Sequence, residues 1–453
     1  MPGRIVGMNT RPVRCATFAA TAAWLLAGSS VGTAHLAAAD WPSWRGPAGN
    51  QISPETKFPT SWKWSKDRSQ NIRWRTPLPE PGNSSPIVFG QRVYLTQALE
   101  DGKRRALLAF DRTSGQEVWR QEVPWAPEDS HHESNPHCAG SPVTDGERII
   151  ASFASAGIAA FSLDGKSLWQ VDLGLQKHGW GSGSSPLIVG DQVLVFHGPG
   201  EFSALYALDK RTGKVNWKTT LPEAQPAERF DGFAGKSGGA QGSFSTPLLV
   251  HPSGQPRRSE VVIAAANQLR AFAPQDGHEL WHCEGMNPLV YTSASFGENT
   301  VVSLGGFFGA EIFLHPGSRG DVTGQRLVYE KRAKKHRIGS PIIHQGHVYL
   351  ASTDGFGQCL ELKSGRMVWE ERLPATGSNG ETWASMVLAG DKLYVVNRSG
   401  DTLILRAAPK YELIASNPVG EISNATLALS NGEIFLRTHA ALYCIHDPAV
   451  TSK

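Results

Sequence analysis

A glycine followed four residues later by a tryptophan recurs five times, at Gly115/Trp119, Gly165/Trp169, Gly213/Trp217, Gly277/Trp281 and Gly365/Trp369. Each glycine ends a tight turn, where a positive φ is needed. A short apolar or alternating stretch precedes each turn, as at 204–209. The unit is strand, turn, strand. A second mark lies between the tryptophans: a small residue and a proline opening an apolar strand. It occurs at Ser85-Pro86, Ser141-Pro142, Ser185-Pro186, Thr246-Pro247 and Ser340-Pro341, with weaker copies at Ser293-Ala294, Ser385-Met386 and Ala425-Thr426. Proline costs no ladder hydrogen bond where a strand begins.

Each unit therefore carries four strands over roughly 40–60 residues, the length of a propeller blade. Eight strand-opening marks occur, but only seven tryptophan-type strands follow residue 110, with Tyr329 and 412–415 as degraded copies. The eighth is missing after Asp447-Pro448, while 71–76, centred on Trp74, is an orphan with nothing before it to pair with. Surplus and gap cancel if the orphan joins the last blade. The expected fold is all-β: an eight-bladed propeller of four-stranded antiparallel blades, closed by an N-terminal strand. Closure also removes the open edges that invite aggregation.

Residues 1–39 contain Arg4, Arg11 and Arg14, no acid, an apolar stretch from Cys15 to Ala27, and Ala37-Ala38-Ala39 before Asp40. These are the parts of a cleaved secretory signal peptide, and the protein is expected to be periplasmic or extracellular. No Cys follows Ala27-Gly28, so a lipoprotein signal is not visible. The expected divisions are 1–39 signal peptide, 40–70 extension packed on the ring, 71–447 propeller and 448–453 tail. Without the leader, 41 basic residues balance 41 acidic ones, which disfavours a nucleic-acid partner. No later apolar run is long enough to span a membrane. Cys138, Cys283, Cys359 and Cys444 lie far apart and are read as thiols rather than a disulfide framework.

The pattern A-L-D-x-x-T-G-x-x-x-W, clearest at 207–217, resembles the pyrroloquinoline-quinone-like (PQQ-like) propeller repeat. The opening Trp41-Pro42-Ser43-Trp44-Arg45-Gly46-Pro47 is similar to exported bacterial members of that group. The resemblance implies one of two things: a quinoprotein dehydrogenase, or a non-catalytic propeller such as the lipoprotein of the outer-membrane β-barrel assembly machinery. The dehydrogenases hold quinone and calcium beside a disulfide of adjacent cysteines, and no Cys-Cys occurs here.

Strand alternation puts the Thr-Gly and Gly-Asp turns on one face and the crossings between blades on the other. The long, irregular crossings are the expected binding face. The first contains His131, His132, Asn135 and Cys138, whose spacing matches no strong metal pattern. The second carries His178 and Trp180, a stacking surface for a sugar, quinone or peptide ring, or a packed aromatic. The third, 221–245, is Gly-rich and holds Lys236 without a P-loop pattern. The fifth, with Lys334, Lys335 and Arg337, reads as a basic patch for an acidic partner or as a solvated loop. Trp383 from the sixth crossing and Glu201 from a second-to-third strand loop share this face. No catalytic residue, resident metal or cofactor is expected. The expected function is a monomeric, exported, non-catalytic scaffold that binds an envelope protein or polymer. The alternative is a PQQ- and calcium-dependent oxidoreductase acting on an alcohol or aldose.

Overall fold

The computed structural model describes residues 40–124, 129–200, 203–222, 241–306, 308–331, 335–377 and 380–451. The expected signal peptide, Glu201, Lys236 and Lys334 lie outside these.

The repeat unit folds as its pattern dictates. In blade 1 the strands are Ile87–Phe89, Arg92–Leu99, Arg104–Asp111 and Glu117–Pro124, each antiparallel to the next. The middle strands are buried on both faces, because neighbouring blades cover both sides of each sheet. Outer strands such as Val215–Thr220 are largely open to solvent. The turn before the outer strand is fixed by an aspartate: Asp111 Oδ1 accepts from the backbone N–H of Thr113 and Ser114. Gly115 then adopts φ 73°, and a Cβ there would collide with the Trp74 ring.

Eight such sheets follow one another. The ring closes where Ile72–Pro77 pairs antiparallel with Ala441–His446, with Trp74 opposite Cys444. The orphan strand is the outermost member of blade 8, as the surplus and gap require. The hydrophobic core is a series of clusters between adjacent blades. Ile87 and Tyr94 of blade 1 pack with Ile149 and Phe161 of blade 2, for example.

Tryptophan ties five of the eight seams. Trp74, Trp119, Trp169, Trp217 and Trp369 each donate Nε1–H to a backbone carbonyl of the next blade, those of Arg112, Leu163, Lys210, Pro274 and Ala408, at 2.8–3.2 Å. Trp281 breaks the rule by bonding Glu260 of its own blade at 2.8 Å.

Ahead of the closing strand, residues 41–53 cross the axis on the turn side. Trp41 exchanges backbone hydrogen bonds with Val88 of blade 1, and Pro42 O accepts from Thr144 of blade 2. Arg45 reaches the carbonyls of Ser293 and Ala294 in blade 5. Ile52–Ser53 adds a parallel strand to Val387–Ala389 of blade 7. At the other end Pro448–Thr451 forms a single helical turn. No described helix is long and apolar enough to cross a membrane.

Candidate functional site

The small residue in each strand-opening mark turns out to be a hydroxyl with a structural partner. Ser85 N–H donates to Ser141 Oγ, Ser141 to Ser185, Ser185 to Thr246, and Thr246 to Ser293, all at 2.8–3.0 Å. Ser293 continues to Ser340, Ser340 to Ser385, Ser385 to Thr426, and Thr426 back to Ser85, at 2.9–3.2 Å. The eight bonds form a closed circle around the axis. The eighth copy is therefore Thr426 itself, one residue later than the Ala425-Thr426 alignment read from the sequence. The oxygen, not the proline, defines the mark, and alanine has none.

An extended strand repeats its direction every two residues. The residue two positions before each ring hydroxyl accordingly faces the axis on the crossing side, and all eight line one cavity of about 360 Å³. From blades 4 to 7 these residues are Phe244, Tyr291, Ile338 and Trp383. From blades 8, 1, 2 and 3 they are Asn424, Asn83, Ala139 and Gly183. One half of the wall is apolar, and the other is amide or small.

The small half is filled from above by the first two crossings. Trp180 stacks on His132 with ring centroids 4.2 Å apart and planes at 20°. Asn135 fixes that loop by donating to the carbonyls of Trp180 and Ser182 at 2.8 and 3.0 Å. The amides continue as a chain: Asn424 Nδ2 donates to Asn83 Oδ1 at 3.2 Å, and Asn83 Nδ2 to Asn135 Oδ1 at 3.2 Å. Asn424 Oδ1 is buried with no hydrogen-bond partner. On the apolar half Phe244 and Tyr291 stack at 5.8 Å and 11°. Trp383 donates to Glu381 Oε2, and that carboxylate also takes Arg398 Nη1 at 2.6 Å. The Arg398 guanidinium lies 4.8 Å from the Trp383 ring centroid.

Trp44 also lines the cavity and donates Nε1–H to the ring oxygen of Thr426 at 3.1 Å. Beside it Arg45 is buried, its guanidinium 4.8 Å from the Trp44 ring. Its guanidinium donates to two backbone carbonyls, and desolvation pulls its pKa down to about 9. It stays protonated at neutral pH.

Of the residues singled out in the sequence, His132, Asn135, Trp180 and Trp383 line this cavity. His131 stands outside the lining, 4.2 Å from the His137 ring. His178 borders a separate recess with Gly200 and Gln241, and burial lowers its pKa. Lys335 bonds Asp354 at 3.1 Å and sits over Phe356. Arg337 is not part of a surface patch. It is 3% exposed, ion-paired with Glu311 of blade 5 and hydrogen-bonded to Gln358 of blade 6. A guanidinium between two blades is drawn inward by a buried carboxylate that needs a counter-charge. The four described cysteines are buried free thiols, and burial pushes Cys138 up to about 11, so it is a poor nucleophile. The wall residues Asn83, Phe244, Tyr291 and Asn424 were not singled out: nothing local marks them, and only the closed ring shows that the position two before each hydroxyl faces the axis.

Quinone and calcium can be tested against this lining. Calcium needs six to eight converging oxygens. Among the described residues the lining offers two carboxylates, Glu133 and Glu381, and Glu381 is already held by Arg398 and Trp383. Asn83 Oδ1 and Asn135 Oδ1 accept from neighbouring amides. Among the described residues no three His, Cys, Asp or Glu side chains gather as a metal site. The described residues do not fit the pair.

A family profile described as "Outer membrane protein assembly factor BamB" matches residues 57–200, 158–327, 267–409 and 318–447. The outer membrane protein assembly factor BamB of Burkholderia pseudomallei is 23% identical over 360 residues, 70% of this chain and 82% of that protein. A polyvinylalcohol dehydrogenase of Pseudomonas sp is 26% identical over 212 residues, 43% of this chain, and that match spans only 31% of the dehydrogenase. The crystal structure of quinohemoprotein alcohol dehydrogenase from Comamonas testosteroni superposes with a TM-score of 0.61 at 12% identity, covering 90% of this chain and 80% of that one. At that identity the likeness concerns the fold alone.

Proposed function

Since the chain belongs to the family described as outer membrane protein assembly factor BamB, we propose that it is an exported, non-catalytic propeller that binds a cell-envelope protein or polymer through its crossing face. The observation that carries this reading is the cavity itself. Its walls are held in place by hydrogen bonds among Asn424, Asn83, Asn135 and the Trp180 loop, and its turn side is crossed by 41–53 with Trp44 against the hydroxyl ring. A cavity shaped before its ligand arrives avoids the ordering cost of binding. Among the described residues its charged lining is Glu133, Glu381 and Arg398, two of them neutralising one another. That favours recognition over acid–base chemistry.

The alternative, a PQQ- and calcium-dependent oxidoreductase, draws on the match to the polyvinylalcohol dehydrogenase and on the flat faces of Trp180 and Trp383. The incomplete oxygen set weighs against it.

Purified protein is incubated with PQQ and calcium, dialysed, and assayed for a retained chromophore and for dye reduction with alcohols and aldoses. The expected result is neither. Turnover that disappears in Glu381→Gln would overturn the reading. Intact-mass measurement of the exported protein should find a chain beginning at Asp40, and a mass retaining 1–39 would remove the cleaved-leader proposal.

A further inference from the structure

We propose that the crossing-face cavity is a binding site for a neutral saccharide, the non-acidic end or a short run of a glycan. The inference deepens the binding reading above and rests on it.

The wall is divided: Phe244, Tyr291, Ile338 and Trp383 face Asn424, Asn83, Ala139 and Gly183 across the axis. A pyranose is divided in the same way, with a flat C–H face and a rim of hydroxyls. Trp180 and Trp383 are partly buried indoles on opposite sides of the cavity. An indole face carries a negative quadrupole that attracts the slightly positive C–H groups of a sugar. The amide half supplies donors and acceptors together, which hydroxyls require because each both gives and takes a hydrogen bond. Asn424 is 8% exposed, lines the cavity, and its Oδ1 has no partner. A buried acceptor left unmet is costly, and a rotation of this wall amide would turn it toward a sugar O–H. The ring hydroxyls of Ser85, Ser141, Ser185, Thr246, Ser293 and Ser340 already accept a backbone N–H each, so each keeps an O–H proton to give.

Other ligand classes fit less well. A phosphate or uronate asks for free cations, whereas among the described residues the lining cation, Arg398, is spent on Glu381. A purely apolar ligand would leave the amide half and the hydroxyl ring unsatisfied.

The test is calorimetric titration of the full chain with maltohexaose, cellohexaose and chitohexaose, with polygalacturonate as the acidic comparison. At least one neutral oligosaccharide should bind. Trp180→Ala and Trp383→Ala should each weaken it about tenfold or more, the size of a truncated aromatic anchor, while the far-UV spectrum and melting temperature stay unchanged. Asn424→Asp, which keeps the shape but adds charge, should weaken it without removing the aromatic contacts. Failure of all three neutral probes, preference for polygalacturonate, or binding that survives the Trp180/Trp383 double substitution would overturn the proposal. Failure of the saccharides with no dye reduction would leave the binding reading standing. Aldose-dependent dye reduction would take down that reading as well.

Discussion

The tryptophan-tied seams and the three without a tie differ in how they are built. Where Trp119 or Trp217 docks on the next blade, one indole supplies both burial and a hydrogen bond. The other three seams each recruit something else. Between blades 4 and 5, the loop of blade 5 reaches back. Gly320–Asp321 pairs parallel with the outer strand of blade 4, and Arg258 donates to the Gly317 and Ser318 carbonyls. Between blades 5 and 6, Arg337 bridges Glu311 and Gln358. Between blades 7 and 8, the N-terminal segment serves both sides. Trp62 and Thr60 bond Asn417, and Glu55 accepts from Asn431. The hydroxyl ring is common to all eight seams. The indole is thus one of several ways to fasten a seam, while the ring fixes the geometry of the cavity.

The largest effect is expected at the closing seam. Trp74→Ala removes a buried indole and its bond to Arg112 at once, and should cost about 4 kcal/mol in denaturant unfolding. A loss no larger than that of a surface substitution would mean the ring does not depend on that strand. Next comes the ion-paired seam. Arg337→Ala strands the Glu311 carboxylate and should cost about 3 kcal/mol, whereas the Arg337→Met/Glu311→Gln pair should recover most of it. Were Arg337→Ala thermally silent, the side chain would belong on the surface as the sequence reading had it.

A pH titration probes the first crossing and the blade 8 loop together. Burial pulls His137 and His439 down to about 4, with Arg105 and Arg437 respectively adding repulsion. Between that value and the ordinary 6.5 the unfolded chain binds protons that the folded chain does not. Stability is therefore complete above about pH 6.5 and falls as pH drops toward 4, by roughly 1–2 kcal/mol after allowing for partial exposure. His439→Gln should flatten part of that slope in a melting-temperature profile. A smaller effect is expected in the ring, where Ser340→Ala leaves Ser293 N–H unmet and should cost about 1 kcal/mol. Smallest is Trp180→Ala, which stands on the rim and should change stability by less than about 0.5 kcal/mol.

The same comparison explains what the sequence could tell. Features set by local turn chemistry and by counting were legible: the five Gly–Trp pairs, the strand marks, and the surplus strand at Trp74. The rim was legible only in part. His132, Asn135, Trp180 and Trp383 stand out as unusual residues in long loops, and they line the cavity. Asn83, Phe244, Tyr291 and Asn424 carry no local signal, because only ring closure brings together residues up to 341 positions apart. Arg337 misled for the reverse reason. A run of basic residues looks like a solvated patch until Glu311, 26 residues away, supplies the internal partner.

The crossing-face cavity is proposed to bind rather than react. The most direct test is a crystal structure grown with saturating PQQ, calcium and a neutral oligosaccharide together. The expected result is saccharide density between Trp180 and Trp383 with a hydroxyl on the Asn424 amide. Quinone density stacked on either indole, with calcium on Glu133 and Glu381, would contradict it.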